Sequence, residues 1–165
     1  MSAIEETTAG KCTRGAAGDA TRLALPQAPY ADAVHAALTT LRTLPDLVDV
    51  GVRREQLSGP GELFIRAEWL PGHDDLLPVR VREAGLTVQW SHVTGWSLVS
   101  GDDLAIPTAL DVLAAPEVVA VTAMHAAVHG LVCVCESLPD PGARWEHAAA
   151  LDAALARYED GEPPC

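Results

Sequence analysis

Three side chains with metal-binding chemistry recur at one spacing in this 165-residue chain: His125, His129 and Cys133 stand four residues apart. On an unbroken helix they stack on one face, and two imidazoles with a thiolate suit zinc or copper. Val128, Val132 and the helix-weakening Gly130 argue for the opposite reading, a face packed into a core or an interface. No cofactor is therefore expected, zinc at His125, His129 and Cys133 being the alternative, and packing is what the valines favour. Cys133 and Cys135 form a C-x-C pair that shares a face only in a strand, and no second cysteine pair completes a site.

A second candidate set is basic. Arg66, Arg80 and Arg82 fall on the polar side of alternating segments, where they form an anion- or partner-binding patch or pair with nearby Glu62, Glu68 and Glu83. The acidic pairs Asp74–Asp75 and Asp102–Asp103 sit in turn-like stretches near glycine. No G-x-S-x-G elbow, phosphate-cradling G-x-x-x-x-G-K-[ST] loop or G-x-G-x-x-G turn is present. No catalytic residue is assigned, and a non-catalytic protein is expected.

The elements that hold these residues follow from periodicity. Tyr30, Val34, Leu38 and Leu41 repeat at helical spacing and predict a helix over about 29–43, ended by Pro45. From Val48 the period becomes two, and strands are predicted at Val48–Val52, at Leu63–Trp69, where Phe64 is out of phase, and at Val79–Arg82. Leu86–Ser100 reads as a hairpin. A three-residue loop of Val93, Thr94 and Gly95 sets Trp90 opposite Leu98 and Trp96 opposite His92, with both tryptophans on the apolar face. Leu104–Pro107 reads as either an edge strand or a loop. Pro116 opens an apolar helix to about His129, residues 131–136 fit helix or strand, and a last helix over 143–159 carries Trp145 on its apolar side.

The resulting fold class is α+β: an antiparallel meander of four to five strands with a Trp-rich hairpin, covered by about three helices. Its expected core contains Val50, Ile65, Val81, Val88, Trp90, Trp96, Leu98 and Val121. Residues 28–159 form the single domain, and 1–27 and 160–165 are expected to be flexible tails.

Charge narrows the partners. There are 23 Asp+Glu against 11 Lys+Arg, a formal charge of −12, which repels phosphate backbones and excludes nucleic acid as an expected partner. No apolar run reaches the roughly 18 residues of a membrane span, and the first residues lack the basic and apolar parts of a secretory leader. A cytoplasmic protein with reduced thiols is expected.

Residues 30 to about 120 resemble a family of small uncharacterised actinobacterial domains. The resemblance is carried by YADAVHAAL from Tyr30, LTVQW from Leu86, GWS from Gly95 and APEVV from Ala115. It implies a single α+β domain and no activity, since the family has no established function. The expected role is a protein-binding or regulatory module with a protein partner, a basic one suiting the charge. Alternatives are a homodimer built on the apolar 118–132 segment, an immunity- or antitoxin-like acidic protein, and a metal-binding protein.

Overall fold

The computed structural model of the chain describes residues 25–54, 61–133 and 139–161. Its elements are α1 (Ala28–Thr40), β1 (Leu47–Arg53), β2 (Glu62–Trp69), α2 (Val79–Ala84), β3 (Leu86–Ser91), β4 (Gly95–Val99), β5 (Ile106–Pro107), α3 (Pro116–His129) and α4 (Ala148–Glu159). The five strands form one antiparallel sheet in the order β1-β2-β3-β4-β5, so the fold is α+β and each strand pairs with its sequence neighbour. The proline of β5 stands on the sheet edge, where a missing N–H costs no ladder bond.

Alternation places the core. Val50, Ile65, Trp90 and Trp96 align across β1 to β4, and Ala67, Val88 and Leu98 form the next row on the same face. That face is covered by α1, α3 and α4, whose Tyr30, Val119 and Leu151 join one core cluster with the strand residues. Trp90 and Trp96 are 1% and 2% exposed, which settles them as core. Phe64, out of phase, lies on the outer face against Gly51, with the Arg53 guanidinium 5.3 Å from its ring centre.

The hairpin register differs from the sequence expectation. Trp90 pairs with Trp96 and Ser91 with Gly95, so the loop is His92, Val93 and Thr94. The Ser91 hydroxyl accepts the amides of Val93 (3.0 Å) and Thr94 (3.3 Å), which starts the turn one residue early. His92 is held instead by β2: its amide donates to the Leu63 carbonyl and its Nδ1 accepts the Leu63 amide at 3.0 Å. The pairing moves by two residues, one full pleat, and so the tryptophans stay on the expected face.

The third strand expected at Val79–Arg82 is instead the helix α2. Pro78 precedes it, and Gly85 ends it with φ 82; a Cβ on Gly85 would stand 2.8 Å from the Trp69 carbonyl oxygen. On a strand Val79 and Val81 would share a face. Two helical positions are instead about 200° apart, and here Val81 is 6% exposed and Val79 69%.

Residues ahead of the expected start at 28 also take part in the fold: Leu25 packs on the core, and Gln27 is fully buried with Nε2 donating to the Gly51 carbonyl at 2.9 Å. The remaining tail segments, residues 1–24 and 162–165, lie outside the described residues, as do 134–138. Leu131–Cys133 is neither helix nor strand. Among the described residues no helix is long and apolar enough to cross a membrane.

The α2 geometry gives a direct test. Val81→Asp should lower stability by about 3 kcal/mol or more, and Val79→Asp by less than about 0.5 kcal/mol. Urea unfolding of both variants checks this; equal losses would restore the strand.

Candidate functional site

A groove of about 620 Å³ lies between α1 and α3, far larger than the hollows of about 60 and 140 Å³ beside the sheet. Its origin is local. The face of α1 that meets the sheet carries Tyr30, Val34 and Leu38, whereas the flank toward α3 carries Ala33, Ala36 and Ala37. Methyl groups are too short to fill the space between two helices, whose separation is set by the larger side chains beneath. On α3 the wall is Pro116 and Val121. Val121, expected in the core, is half-buried on this wall.

Trp145 closes one end, and a paired segment places it there rather than a helix. Asp111 donates its amide to the Pro141 carbonyl (3.0 Å), Ala115 to Ala143 (2.8 Å) and Trp145 to Leu113 (2.8 Å). Arg144 tightens this pairing: its Nε donates to Asp111 and its terminal nitrogen to Asp152, both at 3.0 Å. The hydrogen bonds to Asp152 and then Asp111 raise the Arg144 pKa, so the guanidinium is charged throughout the working pH range. The last helix accordingly begins at Ala148 and not near 143.

The Trp145 ring packs against Tyr30 with centroids 5.0 Å apart. The Tyr30 hydroxyl donates to the Ala114 carbonyl at 2.6 Å and accepts from Trp96 Nε1 at 3.2 Å. Burial pushes its pKa well above the usual phenol range, against the lowering effect of the Trp96 bond, so it stays a donor. Trp90 Nε1 donates to the Val112 carbonyl at 2.7 Å. The groove end therefore rests on a rigid, hydrogen-bonded aromatic floor.

The lining sets what the groove can do. Among the described residues its one hydroxyl is Thr40, whose Oγ1 donates to the Ala36 carbonyl at 3.0 Å. No serine, cysteine or histidine among the described residues lines it. Glu117 and Glu146 stand at the rim. Apolar walls with a few charged groups suit binding.

The residues singled out by sequence lie elsewhere. Arg66 is exposed on β2 and pairs with Glu68 at 3.0 Å, while Arg80 and Arg82 are on α2, with Arg82 3.6 Å from Asp74. The single sheet face expected to carry all three is not formed, because α2 is not a strand. His125 and His129 do meet, with ring centroids 4.6 Å apart. Cys133 does not continue their row: Gly130, at φ 91, ends α3. Among the described residues no three His, Cys, Asp or Glu side chains group as a metal site. Cys12, Cys135 and Cys165 lie outside the described residues.

Sequence reasoning missed Trp145 and the alanine flank. The alanines at 33, 36 and 37 were a readable signal, since a helix flank of methyl groups beside a face of larger apolar residues leaves space next to a neighbouring helix. Comparison with protein-family models, with curated proteins and with solved structures finds no match for this chain.

His125 carries a consequence for stability. Its Nε2 is buried without a hydrogen-bond partner among the described residues, and burial followed by the nearby His129 lowers its pKa from the usual 6.5. The unfolded chain thus takes up this proton at higher pH than the folded one. Its stabilising effect is complete above about pH 6.5 and is lost as pH falls toward the lowered folded value. His125→Gln should flatten the fall in stability between about pH 7 and 5. Denaturant unfolding across that range measures it, and identical slopes would contradict it.

Proposed function

We propose that this chain is a non-catalytic protein-binding module whose docking site is the groove between α1 and α3. The observation that carries the reading is the lining itself: alanines, Val121 and Trp145 form an apolar trough. A formal charge of −12 and a rim of Glu117 and Glu146 suit a protein ligand and not a nucleic acid. A cytoplasmic setting and kinship to the small actinobacterial domains are part of the same reading, the second carried by residues 30 to about 120.

A second reading, a homodimer, is favoured by a different surface. Leu77, Val79, Val128 and Val132 are exposed around the end of α3, where the Leu77 amide donates to the Ala127 carbonyl at 2.9 Å. Such apolar surface is a common site of subunit contact.

One comparison tests both. Ala36 is exposed on the groove flank of α1, so Ala36→Trp fills the trough without entering the core. Purification from native lysate should recover a partner with the parent chain and about tenfold less with Ala36→Trp, a loss of about 1.4 kcal/mol in binding. Light scattering on both samples should give a dimer mass for each if the α3 end self-associates. Identical partner recovery would remove the groove as the docking site.

A further inference from the structure

We infer that the groove takes a basic amphipathic helix of a partner protein, its small apolar side laid against the alanines and a lysine or arginine brought to Trp145. This rests on the docking reading above and adds the chemistry of the occupant.

The shape argument comes from α1. Ala33, Ala36, Ala37 and Thr40 lie three and four residues apart, so they form one shallow strip along the helix. A strip of this kind admits a helix at close range, and a helix in a trough between two helices buries its apolar side as a core helix does.

The charge argument comes from the closed end. Two carboxylates, Glu117 and Glu146, line it with one guanidinium, Arg144, behind which Asp111 and Asp152 stand as hydrogen-bond acceptors. Arg144 is already spent on Asp111 and Asp152. Glu117 sits in the first turn of α3, where it balances the partial positive charge of the helix end, and Glu146 is 3.5 Å from His147 Nε2. The end remains net negative. Trp145 is half-buried there, its indole in contact with the Tyr30 ring at 5.0 Å and edge to face with the His147 ring at 5.2 Å, and the remainder is open to the groove. A cationic side chain can lay its methylenes along the trough and place its charge by the indole and the two glutamates. An acidic helix would meet like charge at each of these points.

The test uses the whole chain and synthetic 16-residue Ala–Leu–Lys, Ala–Leu–Glu and Ala–Leu–Gln amphipathic helices. Binding is followed by NMR through the Trp145 indole N–H and the amides of Ala33 and Ala37. The lysine helix is expected to move these signals and to bind at least about tenfold more tightly than the glutamate helix, with affinity falling as salt rises. The double variant Glu117→Gln/Glu146→Gln should lose about tenfold in affinity for the lysine helix, with a melting temperature lowered by no more than about 4 °C through the lost first-turn charge of Glu117, since both side chains are exposed. Equal binding of all three helices in the groove, unaltered by the double variant, would overturn the basic occupant and leave the docking reading standing. Binding of no helix, together with unchanged partner recovery by Ala36→Trp, would overturn both. Movement of signals elsewhere while Trp145 stays still would overturn the placement.

Discussion

The hydroxyl of Tyr30 is the joint on which the packing depends. It sits on α1, accepts from Trp96 on β4 and donates to Ala114 just before α3, so one buried oxygen joins three parts distant in sequence. A buried hydroxyl with both partners satisfied adds a modest net stability, but removing it orphans a tryptophan N–H and a carbonyl that no water can reach. The ring also contributes edge contacts to Trp90 and Trp96 with centroids 6.0 Å away, and a tilted contact to Trp145. The position of α1 over the sheet, and hence of its alanine flank, follows from this point.

The same constraint connects fold to groove. Bulky groups on the inner face of α1 bring it down onto the tryptophans, while short ones on its flank leave space beside α3. Arg144 and its two aspartates then fix the 141–145 segment against 111–115, so that Trp145 closes the trough. The groove is thus a product of side-chain size on one helix and of a paired segment that no local propensity announces.

The sheet was legible because alternation at Leu63–Trp69 and Leu86–Trp90 allows only one face to be buried. The start of the apolar helix was legible at Pro116, whereas its end was left open past Gly130, whose φ of 91 stops it after His129. Val79–Arg82 misled because an alternating tetrapeptide also fits about one turn of helix, and Pro78 with Gly85 decides for the helix. The hairpin slipped by a pleat because the deciding bonds come from the Ser91 side chain, which a pattern of apolar residues does not weigh. The candidate site was the least legible part. Histidines and arginines draw attention by type, whereas a groove of alanines depends on how two helices meet, and the partner of Arg144 is 33 residues away.

The most direct measurement is the stability of Tyr30→Phe, read together with the Trp145 indole signal. Removing one oxygen without changing ring packing should cost about 2 to 3 kcal/mol in urea unfolding, because the Trp96 N–H and the Ala114 carbonyl lose their partner in a buried setting. The Trp145 indole resonance should shift as its support loosens. A loss under about 0.5 kcal/mol with an unmoved Trp145 signal would show that Tyr30 does not hold α1, the hairpin and the groove end together.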